Sequence, residues 1–123
     1  MKRKILIYVI QKHKATHLHY DLRLEKNGVL KSWAIPKRPS LKKNVKRLAI
    51  QTEDHSLDYA TYEGETSEGS RIDVVKIWDT GIYLVEKQGR GFLLFYIKGK
   101  KLKGRYCLLR LKDQKKNWLF FKC

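Results

Sequence analysis

Along this chain apolar and polar residues alternate in short runs, and turn residues interrupt the runs before a helical period can build. Strand-like segments fall at 4–11, 18–25, 29–35, 46–53, 72–78, 81–86, 91–97, 105–111 and 118–122. Between the second and third, Asn27-Gly28 suits a two-residue type I′ turn, because both residues accept positive φ at low cost, and the pairing it predicts is antiparallel. Asp79-Thr80-Gly81 and Lys98-Gly99-Lys100 read as further turns, 36–39 and 63–70 as longer surface loops, and 56–62 as a short helix. So many short strands, with no long helical stretch, are most simply accommodated by a mainly β fold: a small closed or nearly closed antiparallel barrel, which removes sheet edges. No linker, repeat or low-complexity block divides the 123 residues, so one domain spanning 1–123 is expected.

The alternation also sorts chemistry from packing. Leu18, Tyr20, Leu22 and Leu24 share one parity and His19, Asp21 and Arg23 the other, so a strand sends one set to a packed face and the other to a face free for chemistry. His19 and Asp21, two apart, are close enough to share an ion, and His13 is in reach from the preceding strand end or loop. Imidazole and carboxylate together, with positions left open for substrate oxygens, suit manganese, zinc or a similar cation. Arg23, two further along, is placed to fork onto a phosphate oxygen. His17 is either a spare ligand or a residue of the groove rim.

A second segment repeats the pattern, with Arg47, Ala49, Gln51, Glu53 and His55 on one parity and Leu48 and Ile50 on the other. Two such faces side by side predict one basic, imidazole-lined groove, and all four histidines lie in these two segments. His55 is a candidate to protonate a leaving group or to hydrogen-bond a developing phosphorane oxygen. Lys37, as a point charge, and Tyr59, as a neutral donor, are candidate phosphate contacts. The bland alternative for each is a solvated strand face or a histidine satisfied by its neighbours. Trp33, Trp78 and Trp118 read as core or hairpin aromatics rather than base-stacking platforms.

Charge narrows the partner. Lys plus Arg number 28 against 12 Asp plus Glu, a formal +16, which predicts attraction to a polyanion and makes nucleic acid the default. The longest apolar runs, 5–10 and 92–97, are too short to span a membrane, and 1–4 has no signal-peptide core behind it, so a cytoplasmic protein without membrane partners is expected. Cys107 and Cys123 have neither disulfide-framework nor metal-ligand spacing and are expected to stay reduced, Cys107 as a buried thiol beside Leu108 and Leu109. No phosphate-binding glycine loop and no Ser or Cys triad motif is present.

Taken in order, Gln11-Lys12-His13-x-Ala15-x-x-Leu18-His19-Tyr20-Asp21-Leu22-Arg23-Leu24-Glu25, Gly28 through Trp33-Ala34-x-Pro36-Lys37, Lys46-Arg47-Leu48-Ala49 and Glu53-Asp54-His55-x-Leu57-Asp58-Tyr59-Ala60 closely resemble the 3′-phosphoesterase domain of bacterial DNA ligase D and its stand-alone archaeal relatives. The likeness continues through Glu63-Gly64, Trp78-Asp79-x-Gly81, Lys101 to Arg105 and Trp118-Leu119. It implies a small β-barrel enzyme that trims DNA 3′ ends, removing a terminal ribonucleoside or a 3′-phosphate to leave a 3′-hydroxyl. It implies manganese as cofactor, with zinc or cobalt as alternatives, and primer-template DNA as partner, with a DNA ligase and polymerase met in trans. By motif, His13, His19 and Asp21 would be metal ligands and Arg23 and His55 the phosphate and transition-state contacts, with Lys37, Arg47, Glu53 and Tyr59 in support. Two departures stand out. The family's Ile-Pro-x-Gly-x-Tyr-Gly-x-Gly loop is replaced by Thr66 to Val74, and the first strand is expected almost at the start of the sequence, where bacterial members would carry a charged amino-terminal arm. The rival classes are a non-catalytic nucleic-acid-binding barrel, for which charge alone suffices, and a structural subunit of a larger assembly, which leaves the His13, His19 and Asp21 grouping without a purpose.

Overall fold

The fold is taken from a computed structural model that describes residues 5–123. The period-two alternation becomes nine strands: β1 (Leu6–Lys14), β2 (Leu18–Lys26), β3 (Val29–Ile35), β4 (Arg47–Ser56), β5 (Gly64–Glu68), β6 (Arg71–Gly89), β7 (Phe92–Gly99), β8 (Lys103–Arg110) and β9 (Asn117–Lys122). The expected helix is a single 3-10 turn, Leu57–Thr61. Strands run in the order β1-β2-β3-β4-β9-β8-β7-β6, and β1 pairs with β6 to close an eight-stranded antiparallel barrel, with β5 added beside the first part of β6.

One parity of each strand fills the barrel. Tyr8, Ile10, Leu22, Leu24, Trp33, Ile35, Ala49, Phe95, Tyr106, Leu108 and Phe120 are buried together, while Trp78 and Trp118 pack against them from partly buried positions. Leu18 is an exception to its parity: at the start of β2 it is 45% exposed. The Asn27-Gly28 turn forms as expected, with φ of 53° and 82°, and fixes the β2–β3 register so that Arg23 faces Ser32.

Three expectations are corrected. The Asp79-Thr80-Gly81 turn does not exist, because β6 runs unbroken through it. Asp79 is nearly fully buried and caps a different turn: its carboxylate accepts from the backbone N–H of Lys100 (2.8 Å), Lys101 (2.9 Å) and Leu102 (2.9 Å) and from the Tyr8 hydroxyl (2.8 Å). Gly81 is there for close approach, since a Cβ would run into the Lys98 carbonyl and lie 2.9 Å from the Gly99 Cα. The 63–70 loop is largely a hairpin of β5 and β6, turning at Gly69 with φ of 64°. The first strand runs on to Lys14 and so carries His13 within it, while Lys4 lies outside the described residues.

A further correction bears on the site. In the β3–β4 ladder Ser32 faces Thr52 but Leu30 faces His55, so β4 carries one extra residue in between. That bulge reverses the parity of everything beyond it. Ala49 and Gln51 therefore point inward with Trp33, whereas His55 emerges on the outer wall beside Ser32 and Arg23, and the continuous polar face from Arg47 to His55 is not formed.

A second, smaller core sits outside the barrel. Val9, Leu30 and Ala60 are buried there, with Ile7, Leu57, Tyr59 and Ile77 packed around them. The outer faces of β1 and β3 are apolar at Val9 and Leu30, and the 3-10 turn is held down by covering them.

Candidate metal and phosphate site on the barrel wall

On β1 and β2 the outward parity reads Val9, Gln11, His13 and His19, Asp21, Arg23, and the antiparallel register places His13 opposite His19 and Gln11 opposite Asp21. The two imidazole rings lie with centroids 4.6 Å apart. His13 Nδ1 is 3.6 Å from one Asp21 oxygen and His19 Nε2 is 3.3 Å from the other. One donor atom from each residue lies within 4.8 Å of the rest, and among the described residues this is the group of three or more such donors so placed. Donor atoms bonded to a common cation at about 2.1 Å sit about 3.0–3.4 Å apart; the 3.3 and 3.6 Å contacts come close to this, and the widest separation in the group, within 4.8 Å, would have to shorten on binding. The His19 ring is also oriented, since its Nδ1–H donates to the His17 carbonyl (3.2 Å) and leaves Nε2 facing Asp21. Residues and spacing thus fit a divalent ion such as manganese, zinc or cobalt.

The Asp21 hydrogen bond, aided by its charge, raises the His19 pKa above the ordinary histidine value against the opposing pull of partial burial.

Arg23, deeply buried at 4% exposure, is satisfied almost all round. Its Nε donates to Gln11 Oε1 (2.6 Å) and one terminal nitrogen donates to Ser32 Oγ (2.8 Å) and contacts His55 Nδ1 (3.0 Å). The other terminal nitrogen stands 3.5 Å from Asp21, an ion pair without a hydrogen bond, so its N–H groups are the ones left for a phosphate oxygen. The guanidinium lies 4.8 Å from the centroid of the Tyr59 ring. Burial pulls the Arg23 pKa down and raises that of Tyr59, while the neighbouring Asp21 carboxylate opposes the effect on Arg23.

Arg23 also settles the tautomer of His55. A guanidinium only donates, so Nδ1 must accept, which excludes donation from Nδ1 to the Glu53 carbonyl 3.1 Å away and puts the proton on Nε2. His55 therefore offers Nε2–H outward, its ring 4.7 Å from that of Tyr59, which in turn stacks on Tyr62 at 4.9 Å.

Of the residues singled out in the sequence, His13, His19, Asp21, Arg23, His55 and Tyr59 come together. Lys37 is exposed just past β3 and forms no hydrogen bond or ion pair among the described residues. Glu53 is exposed at the β4 bulge and approaches the site through its backbone carbonyl alone. Arg47 lies at the barrel mouth, where its Nε donates to the Arg38 carbonyl (2.8 Å) and it lines a recess with Arg38, Lys42, Trp78 and Lys101. His17 is exposed and contributes its carbonyl.

Sequence reasoning missed three residues. Gln11, completely buried, holds Arg23 with its carbonyl oxygen and donates its amide to the carbonyls of Tyr59 (2.7 Å) and Tyr62 (3.1 Å), tying the 3-10 turn to the barrel. Carrying the odd parity of His13 back along β1 would have found it. Ser32 follows from the Asn27-Gly28 register. Asp73, whose Oδ2 lies 3.9 Å from His13 Nε2, sits on β6 within the segment that departs from the family pattern, and no sequence signal connects the two.

The closed antiparallel barrel thus carries two imidazoles and a carboxylate beside a buried guanidinium on its outer wall. Residues 11–110 match the family model of the DNA ligase D 3′-phosphoesterase domain, and the chain belongs to that family. It is 46% identical to the multifunctional non-homologous end joining protein LigD of Pseudomonas aeruginosa over 96% of its length. The corresponding figures are 44% over 91% for LigD of Mycobacterium tuberculosis and 41% over 91% for that of Mycolicibacterium smegmatis. The chain spans about 15% of the length of these relatives. No helix among the described residues is long and apolar enough to cross a membrane.

Proposed function

We propose that this protein is a metal-dependent phosphoesterase that processes DNA 3′ ends in strand-break repair, hydrolysing a 3′-phosphate to a 3′-hydroxyl and, where a 3′-terminal ribonucleoside is present, first releasing it to expose that 3′-phosphate. The observation that carries the reading is the convergence of His13, His19 and Asp21 next to the Arg23 and His55 pair, in a member of the 3′-phosphoesterase family. DNA is the natural substrate for a chain of net charge +16, and a ligase or polymerase would consume the product.

His13, His19 and Asp21 would hold the ion, most simply manganese, whose contribution is Lewis-acid polarisation of a phosphate oxygen. The remaining work belongs to side chains. Arg23, fixed by Gln11 and Ser32, presents its free N–H groups to a non-bridging oxygen and offsets the charge that builds as water adds to phosphorus. His55, whose Nδ1 is occupied by Arg23, aims Nε2–H at the leaving oxygen or the phosphorane. Water supplies the new P–O bond as the ester P–O bond breaks, and the leaving oxygen ends as a hydroxyl. Tyr59 walls the site against the ring of His55.

The deciding assay incubates metal-stripped protein with a labelled primer-template ending in one 3′-ribonucleotide or a 3′-phosphate, with and without manganese. Manganese-dependent conversion to a 3′-hydroxyl is expected, and His19→Ala or Asp21→Ala should abolish it while circular dichroism stays native. Salt-sensitive DNA binding without turnover under any divalent ion would favour a binding barrel, for which the charge alone is sufficient.

A further inference from the structure

We propose that Cys107 and Cys123 form a reversible dithiol–disulfide site that clasps the end of β9 to β8. Sixteen residues separate them in sequence, yet the two sulfurs lie 2.7 Å apart. A disulfide bond measures about 2.04 Å, so bond formation asks for an approach of about 0.7 Å. The register explains the meeting. Cys107 faces Phe121 across the β8–β9 ladder, and the Cys123 N–H donates to the Arg105 carbonyl (3.0 Å), which puts the two cysteines on one outer face as diagonal neighbours. Neither takes part in the site on β1 and β2.

The reaction needs a thiol-reactive partner, and a low-molecular-weight disulfide of the glutathione type supplies it. Partial burial pushes the Cys107 thiol up to about 12, which makes Cys107 the poorer first attacker. Cys123 displaces one thiol from the small disulfide and forms a mixed disulfide, then Cys107, losing its proton as it attacks, displaces the second. The protein gives up two electrons and two protons, and the small disulfide leaves as two thiols. Excess thiol reverses the sequence.

Closing this link constrains the strand on which barrel closure depends. β9 joins β8 to β4 through the pairs Arg47 to Ile50 with Phe120 to Asn117, and Lys122 also bridges Lys43 and accepts from the Asn44 N–H (2.8 Å). Oxidation should therefore raise the thermal midpoint by about 5–10 °C.

The test equilibrates the intact chain with graded ratios of oxidised to reduced glutathione, then combines quench alkylation with mass spectrometry and thermal unfolding. Expected is a monomer that has lost two hydrogens and both alkylatable thiols, with a raised midpoint that returns on reduction. Cys107→Ser and Cys123→Ser should each stop at a glutathione adduct or a free thiol, with no rise. Two thiols that remain alkylatable at the most oxidising ratio, or crosslinked dimers in place of the internal bond, would overturn the proposal, and an internal bond without a change in midpoint would overturn the clasp. None of these readouts depends on phosphoesterase activity.

Discussion

Replacing Gln11 with Ala should cost about 2.5–5 kcal/mol of stability and loosen the 3-10 turn from the barrel. Gln11 is fully buried and makes three hydrogen bonds, one as acceptor from Arg23 and two as donor to the Tyr59 and Tyr62 carbonyls. Losing the acceptor leaves a buried guanidinium N–H unpaired, at about 1.5–3 kcal/mol for a bond to a charged group. The two carbonyls belong to half-exposed residues that can recruit water, so each adds about 0.5–1 kcal/mol. For a domain of this size the sum amounts to about 10 °C in thermal midpoint. Urea unfolding with an unchanged slope should show the loss, and turnover should fall at least about tenfold as Arg23 and His55 lose their orientation, with manganese affinity nearly kept. Gln11→Glu, which restores the acceptor but not the donors, should fall between. A loss under about 1 kcal/mol with wild-type kinetics would refute the view that this amide organises the site.

Asp73→Asn removes the carboxylate beside His13 and should weaken manganese binding about tenfold in calorimetry, because a carboxylate behind a ligating imidazole orients it and raises its basicity; unchanged affinity would show Asp73 to be a bystander. His19 has a raised pKa in the folded, metal-free protein, so its contribution to stability is fully present below the unfolded value of about 6.5 and is lost as pH climbs through the folded value. The midpoint of metal-free wild type should thus decline relative to His19→Gln across that window, while manganese, which competes with the same proton, should stabilise more as pH rises; parallel profiles would argue against the ion pair. Asp79→Ala orphans three backbone N–H groups and the Tyr8 hydroxyl and should cost about 3–5 kcal/mol, with hydrogen exchange at residues 100–102 accelerated; slow exchange there would show that the turn holds itself.

Where local rules apply, the chain declares itself. Alternation of apolar and polar residues placed the strands of a barrel, Asn27-Gly28 set the register that brings Ser32 to Arg23, and the parity of 19, 21 and 23 put His19, Asp21 and Arg23 on one face. These follow from the two-residue repeat of a strand and from turn stereochemistry, which neighbouring residues decide. Asp79 misled because a buried carboxylate that caps a turn twenty residues away looks, in sequence, like a turn of its own. The β4 bulge misled because one extra residue in a ladder leaves no mark in composition, although it alone turns His55 out of line with Ala49 and onto the wall beside Arg23. Only the tertiary structure determined how buried Arg23 is, that Gln11 anchors it, that Asp73 reaches His13, and that Cys107 meets Cys123. Such contacts depend on barrel closure and on strand registers summed around the sheet, and closure is a property of the whole chain that no local stretch of residues encodes.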